Sequence, residues 1–441
     1  MDIVTRLGKA VQRLRPSTFV RNVGMLVGGT AFAQGLLALS LPIATRLYSP
    51  EQFNLLAVYT AVLGVLSVVS CLRFEIAIPL PDTDEEALNL AAVALTTALL
   101  LSMILGVVGV LMPRQLVSLV GQPELAPYLW MVPVGVALSS VYMALQYWAS
   151  RQKRFGLITS TRMTRAVSGA GIQLGLGAIH PSPFGLLLGH MAYNGMGVVG
   201  LIRSVWSRDR HLFKAVNLSA MIRAVKTYRR FPQWSVPEAL LNVCGVQVPI
   251  LIIAAVAAGP EAAFLMLAMR AMGLPMALIG GSVAQVYLAE AGQHLRDGTL
   301  AAFTRKTMLS LAKLGTPFLV LAGGLSPFLF PIIFGEEWRR AGVILAWLTP
   351  YFVFQFVASP ISMLLHVASR SFTAMVLQLF GFLSRIGAVL LAMHYAPQWI
   401  VEVYAVVGAI FYIAYIGVLY FAARALTPKA APPASDSFTV P

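Results

Sequence analysis

The sequence predicts an all-α polytopic membrane protein, with twelve transmembrane helices forming two parallel-repeat six-helix bundles around a central cavity. Three observations carry this. First, the 441 residues are 58% hydrophobic and only 11% charged, whereas a soluble domain carries roughly a quarter charged residues. Second, runs such as GMLVGGTAFAQGLLALSLPIA, AAVALTTALLLSMILGVVGVLM and VEVYAVVGAIFYIAYIGVLYFAA reach the roughly 20 residues that cross about 30 Å of hydrocarbon as helix. They lack the alternation of membrane strands, and lipid leaves only helices or closed barrels with a satisfied backbone. Third, short landmarks return about half a chain later.

Taken in order, residues 1–21 form a cytoplasmic amphipathic segment. Ile3, Val4, Leu7, Val11 and Leu14 share one helical face while Arg6, Lys9, Arg13 and Arg15 crowd the other, a pattern suited to lying on a membrane surface. The first bundle, 22–203, is expected to hold helices near 22–46, 53–72, 87–112, 125–149, 163–180 and 183–203. Thr83 and Glu86 match a capping box at the start of the third. A basic cytoplasmic linker, 204–234, follows. The second bundle, 235–424, is expected to hold helices near 235–258, 262–289, 307–333, 341–366, 373–394 and 399–422. Residues 425–441, rich in Pro, Ala and Ser, read as a disordered cytoplasmic tail.

Charge fixes the orientation. With the N-terminus in the cytoplasm, 25 of the 32 Lys and Arg fall on cytoplasmic segments, leaving Arg46, Arg114, Arg339 and Arg340 outside and Arg270, Lys313 and Arg385 within helices. So large an inward bias sets topology. It also accounts for the net charge of +15 without nucleic acid, and makes anionic membrane lipids the expected partner. Cys71 and Cys244 have no metal or disulfide spacing and read as small apolar packers.

The returning landmarks are Ala149-Ser150-Arg151 and Ala368-Ser369-Arg370, Ser49-Pro50-Glu51 and Gly259-Pro260-Glu261, and Gly121-Gln122 and Gly335-Glu336 before helices four and ten. Equivalent helices share an orientation, so the halves are parallel repeats about an axis along the membrane normal. Two such bundles suit alternating access, and Pro42, Pro133, Pro249, Pro275, Pro317, Pro350 and Pro360 inside helices permit bending. A scaffold without moving parts is the other reading of a duplicated bundle.

LPIATRLYSPEQF, then CLRFEIAIPLP with the acidic DTDEE, resembles the start of the Wzx-type polysaccharide flippases, members of the multidrug, oligosaccharidyl-lipid and polysaccharide exporter superfamily. YRRFPQWSVPEALLN, FGEEWRRAG and FQFVASPIS are similar to the second half of that family. The resemblance runs from about Phe19 to Arg424. It departs at Asn54, where a glycine is expected. It implies transfer of an undecaprenyl-pyrophosphate-linked oligosaccharide from the inner to the outer leaflet of the bacterial inner membrane, for O-antigen, capsule or exopolysaccharide assembly, with a polysaccharide polymerase and chain-length proteins as further partners.

Such a cargo needs cations for its pyrophosphate. Arg270 and Arg385 lie well inside helices eight and eleven, where a charge costs roughly 2.5–3.5 kcal/mol on insertion scales, and arginine's planar fork suits phosphate. Each is a candidate pyrophosphate or cavity ligand, with a structural pairing as the alternative. Arg46, near the outer end of helix one, is either a cavity cation or an interfacial anchor. Glu238 at the inner mouth of helix seven, and Arg73 with Glu75 at the inner end of helix two, are candidates for gating or coupling, and equally for a helix-dipole partner and a surface pair. Gln34, Asn194, Asn242, Gln247, Gln285, Gln355 and Gln378 serve a wet cavity or interhelical hydrogen bonds. No nucleophile, paired-carboxylate or Walker pattern appears, so an enzyme and direct ATP drive are not expected. No cofactor is expected; an H+ or Na+ gradient is the candidate energy source. The competing functions are a cation-coupled drug antiporter of the same superfamily and a scaffold of a polysaccharide assembly complex.

Overall fold

A computed structural model of the chain describes residues 18–257, 259–362, 364–367 and 371–426. The N-terminal amphipathic face, the tail beyond 426, the Ala368-Ser369-Arg370 landmark and the Gln285 side chain lie outside the described residues.

Twelve long helices build the described chain. In the first half they are α1 (Thr18–Leu47), α2 (Pro50–Ser70), α3 (Asp84–Leu111), α4 (Met131–Arg151), α5 (Phe155–Ile179) and α6 (Pro183–Arg208). The second half adds α7 (Val236–Val256), α8 (Glu261–Pro275, continuing as Gly281–Arg296), α9 (Leu300–Phe334), α10 (Arg339–Ala358), α11 (Ser371–Tyr395) and α12 (Ile400–Leu426). Eight helices are by themselves long and apolar enough to cross a membrane. Three of the others, α1, α5 and α8, turn polar or small residues toward the interior cavity described below.

Local chemistry sets several of these ends. Ser49 and Gln52 form a reciprocal capping box at the start of α2, so that helix begins cleanly despite Asn54, whose buried Oδ1 has no partner. Thr83 Oγ1 accepts the Glu86 N–H at 3.3 Å, as its spacing predicts. Several ends differ from expectation: α9 starts at Leu300 rather than 307, and α10 stops at Ala358 rather than 366. Pro123 and Pro127 hold the chain in a 3-10 turn, which delays α4 to Met131. In the other direction α5 starts at Phe155, eight residues before the expected 163, because its first turns (FGLITSTRMTR) are polar and pack on other helices. Helix eight is expected to be continuous but contains a π turn, Met276–Gly280, directly after Pro275, which cannot supply its backbone donor.

The halves repeat in packing. In the first, α1 packs on α5, α2 on α4, α3 on α4, α4 on α6 and α5 on α6; in the second, α7 on α11, α8 on α10, α9 on α10, α10 on α12 and α11 on α12. Each of these five pairings recurs six helices later. Between the bundles α2 meets α7 and α1 meets α8, again related by the same exchange.

One end of this interface is clasped. Trp338, fully buried, sits edge-on to Phe53 at 5.0 Å, and its indole N–H donates to the Thr45 carbonyl at 3.0 Å. Arg46, exposed, donates through Nη2 to the Ile332 carbonyl at 3.0 Å. Gln122 Nε2 donates to the Ala254 carbonyl at 2.6 Å. Beside it Gly121 has φ +64° and lies so close to Ala255 that an added Cβ would come within 2.7 Å of its Cα. Only glycine satisfies both conditions.

Candidate functional site

Between the bundles lies a cavity of about 500 Å³ walled by α1, α2, α5, α6, α7 and α8. Its polar groups are Gln34 and Ser40 from α1, Thr60 from α2, Gln173 from α5, His190 and Tyr193 from α6, Gln247 from α7 and Arg270 from α8. Among the described residues no acidic side chain lines it.

Glycines bring two of these walls together. Gly169 of α5 faces Tyr193 of α6, and Gly189 of α6 faces Gln173 of α5; a methyl group at either would collide. This close crossing of small residues is the usual means of holding helices together in lipid. It presents Gln173 and Tyr193, one turn further along each helix, to the cavity. The Gln173 amide itself donates to the Leu186 carbonyl at 3.1 Å.

Arg270 is half-buried on the cavity wall. Its electrostatic neighbours are His190 and Tyr193. Among the described residues no carboxylate pairs with it: the ion pairs there belong to Arg73, Arg151, Arg154, Arg339 and Arg340.

The earlier start of α5 takes Arg162 into the helix and sets Arg165 deeper within it, seven and ten residues after Phe155, which is about 10 and 15 Å along it. Arg165 lies between the rings of Tyr142 at 3.9 Å and Tyr193 at 4.4 Å, and so braces a cavity residue by cation–π contact. Arg162 Nη1 donates to Thr30 Oγ1 at 2.7 Å. The spacing TRMTR carried this signal, but the polar residues around it conceal the helix. His190 likewise appears as an isolated imidazole in sequence and stands on the cavity wall in the fold.

The other candidates lie elsewhere. Arg385 is 4% exposed and sits behind α7: its guanidinium covers Phe411 at 4.4 Å and Tyr412 at 5.5 Å, and Nη1 donates to the Gly245 carbonyl at 3.3 Å. Val246 and Gln247, next in sequence to Gly245, line the cavity, but Arg385 does not. Arg46 belongs to the clasp. Arg73 and Glu75 are paired at 3.7 Å, after two non-glycine residues in left-handed backbone, Leu72 (φ 51°) and Arg73 (φ 63°). Glu75 is 5% exposed with Oε2 unpartnered. Burial pushes its carboxyl above the ordinary glutamate value, against its own backbone hydrogen bond and Arg73. Glu238 lines a separate recess with Arg230, Phe231, Trp234 and Phe372, just after a π turn at Phe231–Ser235. Gln355 serves as interhelical glue, donating to Tyr412 Oη at 2.9 Å. No group of three metal-ligating side chains occurs among the described residues.

The profile of the family described as polysaccharide biosynthesis protein matches residues 43–342, more than half of the chain. The chain belongs to the polysaccharide biosynthesis protein family. No curated protein matches this family member significantly. Its fold is that of known transporters. It superposes on the lipid II flippase MurJ, in an inward closed conformation, with a TM-score of 0.66 at 14% identity over 89% of this chain and 86% of that one. The eukaryotic MATE transporter AtDTX14 gives 0.60 at 12% identity over 92% and 98%. A variant of the Vibrio cholerae MATE transporter VcmN gives 0.59 at 12% over 93% and 96%. The protein is therefore a multi-pass membrane protein of polysaccharide biosynthesis with a transporter fold.

Proposed function

We propose that the protein is an alternating-access flippase that moves an undecaprenyl-pyrophosphate-linked oligosaccharide from the inner to the outer leaflet of the bacterial inner membrane. The observation that carries this is Arg270: a cation on the wall of an interbundle cavity whose described lining holds no acidic residue, unpaired with any described carboxylate. A pyrophosphate supplies the missing charge. Arginine can grip it with two parallel hydrogen bonds, while Gln34, Gln173 and Gln247 offer amides to the first sugars. In this reading the clasp at Trp338, Arg46 and Gln122 is the outer gate, and the cargo loads from the cytoplasmic side. Alternation opens that clasp, with the π turns beside α7 and α8 absorbing the bending. Arg385 holds α7 against α11 and α12, and acts on the cavity through α7.

A cation-coupled drug antiporter would be expected to carry buried carboxylates on the helices of the first bundle, and none is among the described residues lining this cavity, which disfavours that reading. Glu75 and Glu238, outside the cavity, are the carboxylates available for coupling to an H+ or Na+ gradient. The polymerase and chain-length proteins that extend the glycan are the expected functional neighbours.

The test is reconstitution into liposomes containing fluorescent undecaprenyl-pyrophosphate oligosaccharide, scoring label that reaches the opposite leaflet. Protein-dependent movement, lost with Arg270→Ala, is expected. Movement of organic cations but not of the lipid would transfer the protein to the antiporter reading, and movement of neither would favour a scaffold.

A further inference from the structure

A second cationic recess lies away from the interbundle cavity, where the turn joining α4 to α5 meets the last two turns of α6. It encloses about 630 Å³ and is lined by Lys153, Arg154, Arg203, Ser204, Ser207 and Arg208. These residues are not equivalent. Arg154 is a fixed floor: its guanidinium makes a two-pronged contact with Asp209, Nη1 to Oδ2 at 2.7 Å and Nη2 to Oδ1 at 2.5 Å, and also donates to Ser204 Oγ at 3.3 Å. Asp209 is 4% exposed and receives the Trp148 indole N–H at 2.9 Å. That carboxylate is spent on Arg154. Lys153, Arg203 and Arg208 are exposed and belong to none of the ion pairs found among the described residues.

Lys153 adds an independent sign. It has φ 53° in the turn that ends α4, where its N–H bonds the Ser150 carbonyl at 3.0 Å and the Arg154 N–H bonds the Ala149 carbonyl at 2.9 Å. This closure puts one residue in left-handed backbone and is normally made with glycine. Here a lysine takes that strain and adds its charge to a recess that is already basic. Both choices work against the empty protein, and both are useful if an anion is bound there.

The position narrows the anion. The recess is at the end of spanning helices, on the side that carries the basic linker. Val199, Ile202 and Trp206 on the same stretch of α6 are exposed apolar side chains, Trp206 by 66%, and exposed tryptophan marks the level of the headgroups. We propose that the recess is a binding site for the headgroup of an anionic phospholipid. Arg203 and Arg208 take the phosphodiester oxygens, Lys153 adds a third positive charge, and Ser204 and Ser207 hydroxyls meet the polar remainder. This site is independent of the flippase reading and stands or falls separately from it.

The test uses the full-length protein in neutral detergent, titrated with short-chain phosphatidylglycerol, short-chain phosphatidylcholine and glycerol phosphate. Phosphatidylglycerol is expected to bind saturably and phosphatidylcholine not. The triple substitution Lys153→Gly, Arg203→Gln and Arg208→Gln should weaken phosphatidylglycerol binding on the order of a hundredfold, from three cations near an anionic headgroup. A control that removes as much charge from the exposed linker, Arg223→Gln, Lys226→Gln and Arg229→Gln, should leave it unchanged. Equal loss in the control, or equal binding of both phospholipids, overturns the proposal. Glycerol phosphate binding as tightly as phosphatidylglycerol also overturns it and assigns the recess to a soluble anion. If the triple variant does not fold, Lys153→Gly alone should still bind phosphatidylglycerol more weakly while melting no lower than wild type; unchanged binding by that variant counts against the site.

Discussion

Arg270 carries an insertion cost of roughly 2.5–3.5 kcal/mol that no described carboxylate offsets. Removing it should therefore cost the empty protein nothing: Arg270→Ala is expected to melt at or above the wild-type temperature while losing lipid transport. Arg270→Lys, which keeps the charge without the planar fork, should retain part of the activity. A destabilised but active Arg270→Ala would make the residue structural. Glu75 makes a pH prediction. Burial raises its carboxyl above the ordinary glutamate value, so the folded state keeps a proton to higher pH than the unfolded chain does. Stability must then fall as pH rises from the ordinary value through the raised one. Glu75→Gln should flatten that fall in melting temperature against pH; an unchanged slope assigns it to another group. Lys153→Gly should stabilise the lipid-free protein by about 1 kcal/mol, the left-handed cost of a residue with a Cβ, readable as a higher melting temperature in neutral detergent. At this scale the sequence exposed Arg270, because a charge inside an apolar run is conspicuous. It concealed Arg162 and Arg165, because a polar first half of a helix has no hydropathy signature. Arg385 was equally conspicuous, yet its place behind α7 depends on packing against Phe411 and Tyr412 that spacing does not reveal.

At the scale of elements, hydropathy located all twelve helices but misjudged the starts of α4, α5 and α9 and the end of α10; the first two of these have a clear cause. Turn chemistry from Pro123 and Pro127 decided the first, and tertiary burial of a polar segment decided the second. The clasp is the element that sequence patterns showed only as a repeated Gly-Gln and Gly-Glu signal. Gly121 must be glycine both for its φ of +64° and for its approach to Ala255. Gly121→Ala should therefore separate the loop before α4 from the end of α7. Cysteines introduced at Gln122 and Ala254, whose side chain and backbone meet in wild type, should crosslink readily in the parent and much less in the Gly121→Ala background. Equal crosslinking would show that the loop accommodates the methyl group without moving.

For the whole molecule, the fold was legible because two weak signals agreed: apolar runs long enough to span, and landmarks returning half a chain later. The packing obeys the same exchange, with α1 on α5 mirrored by α7 on α11 and α4 on α6 by α10 on α12. The cavity was not legible, since which face of α5 or α6 points inward depends on the Gly169 and Gly189 crossing and not on composition. Closure at one end is a balance of small terms. Trp338→Phe removes one interbundle hydrogen bond, about 1 kcal/mol, and should raise the population open at that end about fivefold. Labelling of a cysteine at Thr60, on the cavity wall, by an impermeant reagent added from the clasped side reads this directly; an unchanged labelling rate would mean that the clasp does not control access. The most direct measurement of all is a titration of undecaprenyl pyrophosphate into the purified protein. Saturable binding that weakens about 10- to 100-fold in Arg270→Ala, the worth of a hydrogen bond to a charged group, is the predicted result. Equal affinity for both proteins would contradict the assignment of this cavity to a lipid pyrophosphate.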